Sequence, residues 1–432
     1  MRSHSLPGTL TEWLDLLERR HPKAIDLGLE RCSAVWERMG MPRPAPRVFM
    51  VAGTNGKGST VATLCALLDA LGYRHGSYTS PHLMHYNERV RLGGIPVSDE
   101  VLMEAFERVE EARGDSSLSY FEFGTLAAID ILSGSQLDYA VMEVGLGGRL
   151  DAVNLLDADC AVITPIGLDH QAYLGDNRES IGREKAGIIR PGRPVISGEA
   201  SPPDSIIDYA LSQAAPLKRM GVDFFIERQN GHACFRKDDL EMDVPLPALG
   251  GPHQLNNMAT SLAALLELIP GASQRPGAIR QGLSSVSLAG RFQRVSQQPA
   301  VWVDVGHNPM AAEAVAAALR EAIETEGIES CRCVLAMLED KDATAVSEVL
   351  DPLISGWYCA GTGSDRGQSG AALAERLAPV ARESGVRIFD DVAAALETAF
   401  ADSGPADGVL VFGSFLTATE ALVHWNVRNH DK

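Results

Sequence analysis

The stretch Val48-Phe-Met-Val-Ala-Gly-Thr-Asn-Gly-Lys-Gly-Ser-Thr60 decides the fold. Its first four residues form an unbroken apolar run of the kind a buried parallel strand requires. Gly53, Gly56 and Gly58 then permit a tight turn whose backbone N–H groups converge on phosphate oxygens. From Ser59 onward Val61, Leu64, Cys65, Leu67, Leu68 and Leu71 repeat at helical spacing, so the turn opens a helix whose N-terminus favours an anion. The pattern departs from the Walker turn: Gly53 and Gly56 enclose two residues, and Gly58 separates Lys57 from Ser59. Lys57 is expected to reach the terminal phosphates, and a hydroxyl of Ser59 or Thr60 to approach phosphate or magnesium. Nucleotide binding follows from this stretch; the reaction does not.

A chain of 432 residues exceeds one ordinary core, so at least two domains are expected. With 38 Lys+Arg against 57 Asp+Glu, the net charge of −19 argues against a general nucleic-acid or membrane surface, and phosphate ligands need locally placed cations. The seven cysteines have no metal-ligand spacing and read as buried free thiols. No N-terminal secretory segment and no apolar run of about 18 residues is present, which leaves a cytoplasmic expectation.

Outward from the glycine turn, the first 40 residues read as two helices, 10–18 and 29–39, joined by Lys23-Ala-Ile-Asp-Leu-Gly-Leu-Glu30. That joint is more apolar than a spacer needs to be, and it packs either on a ligand or as plain helix packing. A second strand, 75–79, ends in Thr79-Ser-Pro-His-Leu83, and a helix follows Phe121-Glu-Phe-Gly-Thr125. The third strand, in 138–148, sets Glu143 inside an apolar run, where an unpaired carboxylate is costly and calls for a cation or donor. The fourth, 161–165, delivers Asp169 and His170. Ligands bind at the carboxyl ends of parallel strands, and Ser80, Glu143 and His170 at three such ends suggest a magnesium site. Lys185, on the next helix, suits that position only if it binds phosphate or has lost its charge. A helix at 254–265 opens with amides that either cap it or reach a nucleotide base.

The domain boundary is expected near Leu288-Ala-Gly-Arg-Phe-Gln-Arg294, dividing the chain into 1–293 and 294–432. Beyond it, strands at 301–305, 333–337, 357–360, 386–389 and 409–412 alternate with helices, which implies a smaller, mostly parallel α/β domain. Its strand ends carry Asp304, His307 and Ser414, expected to face the first domain across a cleft. The fold class is therefore α/β: a P-loop-containing, nucleotide-binding N-terminal domain with a mostly parallel sheet, followed by a smaller Rossmann-like α/β domain.

Taken together, Gly53-Thr-Asn-Gly-Lys-Gly-Ser59, Thr79-Ser-Pro-His-Leu83, Glu88-Arg-Val-Arg91, Phe121-Glu-Phe-Gly-Thr125, Glu143-Val-Gly-Leu-Gly-Gly-Arg-Leu-Asp151, Leu168-Asp-His170, Arg183-Glu-Lys-Ala-Gly-Ile188, Arg291 and 304–309 resemble folylpolyglutamate synthases of the Mur ligase superfamily. The resemblance covers nearly the whole chain, in order. Ile25-Asp-Leu-Gly-Leu-Glu-Arg31 is similar to the segment with which bifunctional members hold dihydropteroate, so the bifunctional dihydrofolate and folylpolyglutamate synthases are the closer match. Gly306 departs from the family's usual alanine.

The resemblance implies an ATP-dependent ligase that adds L-glutamate to dihydropteroate and to folates through an acyl phosphate. It places Asn55, Gly56, Lys57, Gly58, Ser59, Thr60, Asn256, Arg291 and Asp304 around ATP. It assigns Asp26, Leu27, Gly28, Leu29, Thr79, Phe121, Glu122, Asp151 and Ser414 to substrates, and Lys57, Lys185, Asp304 and His307 to catalysis. Two Mg2+ ions are expected near Ser80, Glu143, His170 and a Lys185 carrying a CO2-derived carbamate, with a monovalent cation as a further ligand. Small-molecule substrates, a monomer, and no nucleic-acid or membrane partner complete the expectation.

Four other readings compete. A monofunctional polyglutamate synthase would leave 25–31 as helix packing. A Mur ligase for cell-wall precursors would need a UDP-binding domain before Val48. A small-molecule kinase would need an acceptor hydroxyl and no amine, and a non-catalytic nucleotide-binding protein would not need Lys57, Ser80, Glu143, His170 and Lys185 together.

Overall fold

The computed structural model describes residues 6–23, 25–364, 366–382 and 384–430. Its contacts divide into two compact units, one of residues 1–248 and 256–286, the other of 249–255 and 287–432. The division after 286 precedes the expected one after 293, because the strand that opens the second sheet begins at Gln293 and the turn leading into it belongs with that sheet.

The first unit is built on β1 (Arg47–Ala52), β2 (His75–Tyr78), β3 (Val90–Leu92), β4 (Ile95–Pro96), β5 (Tyr139–Glu143), β6 (Cys160–Ile163), β7 (Val195–Ser197) and β8 (Leu217–Arg219). They form one sheet in the order β4-β3-β2-β5-β1-β6-β7-β8. The strands from β2 to β8 in that order pair parallel, and the β3–β4 hairpin adds antiparallel to β2. That hairpin was not expected; strands of three and two residues are too short to show a period. Residues 48–52 of β1 are buried throughout, as a strand covered on both faces demands.

The register aligns the strand ends that matter. Val51 lies opposite Glu143 and Ala52 opposite Ile163, so the glycine turn, Glu143 and the loop after β6 leave one edge together. The helix Lys57–Ala70 starts at Lys57, two residues earlier than the apolar period indicates, with Gly56 as its N-cap at φ 88°. A left-handed N-cap there suits glycine. The helix Tyr120–Ser133 likewise begins before Phe121, so Phe121 and Glu122 occupy its first turn instead of preceding it.

The two N-terminal helices, Leu10–Arg20 and Glu30–Arg38, bury Trp13, Leu17, Cys32 and Val35. Trp13 meets Phe106 edge to face with centroids 5.7 Å apart. A separate antiparallel sheet of β9 (Phe224–Gln229), β10 (His232–Lys237) and β11 (Leu240–Val244) completes the unit.

The second unit holds β12 (Gln293–Gln297), β13 (Ala300–Val303), β14 (Cys331–Leu335), β15 (Gly356–Ala360), β16 (Val386–Phe389) and β17 (Gly408–Phe412), ordered β12-β13-β17-β14-β15-β16. All pairs are parallel except β12–β13. Its core gathers Trp302, Leu319, Leu335, Trp357, Leu410 and Phe412. All seven cysteines are free; six are buried and Cys65 is half-buried. Among the described residues no helix is long and apolar enough to cross a membrane.

Candidate active site

The turn after β1 is held from behind. Gly53 has φ 148°, and a Cβ there would fall 1.8 Å from Thr164 Oγ1, so only glycine fits against β6. Thr54 fixes the next residue: its N–H donates to Pro165 O at 3.1 Å, while its hydroxyl donates to Gly167 O and accepts from Gly167 N–H, both at 3.0 Å. A Cβ at Gly56 would lie 2.6 Å from Asn257 Oδ1. The buried amide beside the turn is thus Asn257, whereas the expected Asn256 is exposed. The hydroxyl of Thr60 is buried in the first helical turn without a hydrogen-bond partner, and Ser59 is buried beside it.

Two lysines converge on this turn. Lys57 Nζ donates to Gly53 O and Thr54 O, each at 3.1 Å. Lys185 Nζ, fully within the protein, donates to the same Gly53 O at 2.8 Å. Burial first, and Lys57 second, bring the Lys185 ammonium down to about 7, against the opposing pull of Asp169 and Asp151. Two cations on one carbonyl oxygen make the turn a place where an anion lowers the energy.

Ser80 N–H donates to Glu143 Oε2 at 3.4 Å, joining the ends of β2 and β5. His170 adopts a left-handed conformation, φ 51°, and caps a single helical turn, with its N–H on Asp169 Oδ1 at 2.8 Å. Among the described residues no three His, Cys, Asp or Glu side chains are assembled into a metal cage. Magnesium is ordinarily held by one or two carboxylates plus substrate phosphates and water. The Ser80 hydroxyl and Glu143 carboxylate fit an ion of that kind, arriving with a nucleotide.

The N-terminal joint is anchored by a charge. Arg31 bridges Asp26, at 3.0 Å, and the buried Glu122, at 3.1 Å, and it also donates to Asp26 O. Gly28 N–H reaches Leu150 O at 3.4 Å, next to Asp151. Asp151 is buried; it accepts from Leu146 N–H at 2.8 Å and Val153 N–H at 2.9 Å, and burial pushes its carboxyl up to about 6. The Phe121 ring lies so close to Gly145 that a Cβ there would meet it at 2.5 Å. Thr79 is tied to Arg89 O through its N–H at 2.8 Å. Asp26, Gly28, Phe121, Glu122 and Asp151 are therefore brought into one neighbourhood. Arg31, which holds it together, stood in the quoted segment without a role.

In the second unit, Asp304 follows β13 and is buried, accepting from Phe292 N–H and Gly306 N–H at 2.7 Å each. Burial raises its carboxyl while Arg291 opposes. The Arg291 guanidinium lies 5.3 Å over the Phe415 ring. His307 Nδ1 donates to Val305 O at 3.0 Å. Ser414 follows β17, and its hydroxyl meets Thr417 Oγ1 at 2.6 Å. Gly306 is accounted for: a Cβ there would fall 2.5 Å from the Phe412 ring.

A turn that gathers two lysines at the head of a helix, with carboxylates at neighbouring strand ends, suits the phosphates of a nucleotide, and the family matches give the class, a Mur ligase. The Mur ligase middle domain matches residues 51–265, and the Mur ligase, glutamate ligase domain matches residues 290–415. The dihydrofolate synthase/folylpolyglutamate synthase of Escherichia coli is 44% identical over 422 residues, 98% of this chain and 96% of that one. The structure of Escherichia coli FolC in complex with DHPP and ADP superposes with a TM-score of 0.90 at 43% identity, covering 98% of this chain and 99% of that one. A bifunctional folylpolyglutamate synthase/dihydrofolate synthase from Yersinia pestis, complexed with AMPPNP and Mn ion, gives a TM-score of 0.88 at 43% identity over 97% and 98% of the two chains. The chain belongs to the dihydrofolate synthase/folylpolyglutamate synthase family.

Proposed function

We propose that this chain joins L-glutamate to dihydropteroate, giving dihydrofolate, and to the glutamate tail of tetrahydrofolates, using ATP and Mg2+. The observation that carries the reading is the convergence of Lys57 and Lys185 on the Gly53 carbonyl at the head of a helix. A carboxylate is a poor electrophile, so its oxygen first attacks the γ-phosphorus of ATP, releasing ADP and leaving an acyl phosphate. The glutamate amine, having lost a proton, then attacks the acyl carbon and expels phosphate.

Lys57 turns from its carbonyl partners to the transferred phosphoryl group, where Asn55, Gly56, Gly58, Ser59 and Thr60 supply the rest of the cradle. Magnesium, when bound near Ser80, Glu143 and His170, would screen the negative charge shared by the phosphates. A Lys185 with a value of about 7 holds much of its amine neutral near that pH. That amine takes up CO2 and releases a proton, becoming a carbamate with an oxygen for a second cation. Arg291, Asp304 and Asn257, the amide beside Gly56, are assigned to the nucleotide, and His307 and Ser414 to glutamate and the transferred phosphate.

Dihydropteroate is assigned to the neighbourhood of Asp26 to Leu29, Thr79, Phe121, Glu122 and Asp151, supported by the Arg31 bridge. Asp151 is a carboxylate suited to the N–H edge of a pterin. The proposed setting is the cytoplasm, where ATP and folates are available, with the protein acting as a monomer. Phosphate release from ATP, Mg2+ and glutamate, with dihydropteroate or tetrahydrofolate as acceptor, tests the reading. Turnover with both is expected; turnover with tetrahydrofolate alone would leave polyglutamate synthesis only.

A further inference from the structure

The residues that hold the glycine turn are themselves held. Thr54 is tied to Pro165 and Gly167, and the residue between them, Ile166, is gripped on both sides of its backbone. Ile166 N–H donates to Glu199 Oε1 at 2.7 Å, and Ile166 O accepts from Arg178 Nε at 3.0 Å. Arg178 Nη2 and Glu199 Oε2 close the ring at 2.7 Å. Arg178 opens the helix Arg178–Ala186 that carries Lys185, and Glu199 follows β7. One ion pair thus joins the lysine-bearing helix, the loop leading to His170 and, through Thr54, the phosphate turn.

A surface ion pair alone is worth little, whereas charged hydrogen bonds to backbone groups fix a loop's position. Glu199 is 15% exposed and Arg178 about half exposed, so the bonds to Ile166 lie on the sheltered side of the pair. We propose that Arg178 and Glu199 are positioning residues that set the phosphate turn by clamping the Ile166 backbone. Both act through the Ile166 backbone. The proposal rests on the reading of that turn as the ATP site.

The test is ADP affinity by calorimetry without metal, alongside hydrogen exchange at the amides of Thr54 and Gly167. Arg178→Ala and Glu199→Ala should each weaken ADP about tenfold, the loss expected for charged hydrogen bonds, with faster exchange at both amides. Glu199→Gln keeps an acceptor for Ile166 N–H without the charge, so its affinity should stay within about threefold of the parent. An ion-pair-only role predicts that Gln behaves like Ala, and that result would overturn the clamp.

The charge-swapped double variant, Arg178→Glu with Glu199→Arg, restores the pair but sets a donor against N–H and an acceptor against C=O. It should stay as weak as the single alanine variants; recovery of ADP affinity would count against the proposal. If the unaltered protein bound no ADP, the reading of the site would fail before the clamp was tested.

Discussion

Gly306 shows what one residue decides. The neighbouring Phe412 ring occupies the space a methyl group would need, so the position takes glycine. Gly306→Ala should destabilise the second unit by about 1–3 kcal/mol in denaturant unfolding, as overpacking does. Phe412→Leu in the same chain should recover part of that loss, and its failure to do so would place the strain elsewhere. Lys185 carries a sharper signature. Its value falls from 10.5 to about 7 in the fold, so between those values the unfolded chain binds more protons and stability rises with pH. Below about 7 the buried ammonium is charged in both states and its cost is constant. In CO2-free buffer, where the amine is unmodified, Lys185→Met should therefore be more stable than the parent at pH 7, and the difference should shrink as pH rises to 9, by at most about 1.4 kcal/mol per unit. A gap independent of pH would mean the lysine is not buried as a cation.

At the level of elements, what could be read in advance had a period or a glycine. The glycine turn, the parallel strands of both sheets and the helices between them follow from apolar runs broken at regular intervals. The β3–β4 hairpin and β12 did not show, because short edge strands with half-polar residues carry no pattern. Asn256 and Asn257 illustrate a second limit. Adjacent residues on a helix point about 100° apart, so the choice between them depends on how the helix packs. Here the packing turns Asn257 to Gly56. The Arg178–Glu199 clamp was invisible for a third reason: neither residue type is unusual on a surface, and only the fold closes the ring on Ile166. The joint 25–31 was legible as too apolar for a spacer, but its anchor is Arg31, a charge. Arg31→Ala should remove the bridge between Asp26 and Glu122 and raise the KM for dihydropteroate about tenfold or more, with the KM for ATP little changed. Equal losses for both substrates would show that Arg31 supports the unit as a whole.

Over the whole molecule the decisive quantity is charge. The chain carries a net −19, yet ATP, glutamate and the folate carboxylates are all anions. At about 10 mM salt the Debye length is about 30 Å and an approaching ligand responds to the sum of charges, whereas at 0.1 M charges more than about 10 Å away are largely screened and the cations at the turn count for more. Lys57 is therefore a short-range device inside a repulsive field. The association rate of a fluorescent nucleotide analogue should increase as salt is raised from about 10 to 150 mM, the reverse of electrostatically steered binding. The dissociation rate should increase as well, because salt also weakens the contacts at the turn, so the equilibrium constant will hide the effect and only the separate rates reveal it. Stopped-flow mixing resolves them. An association rate that falls with salt would mean that cations around the turn dominate the approach, and that the acidic surface lies too far from the entrance to matter.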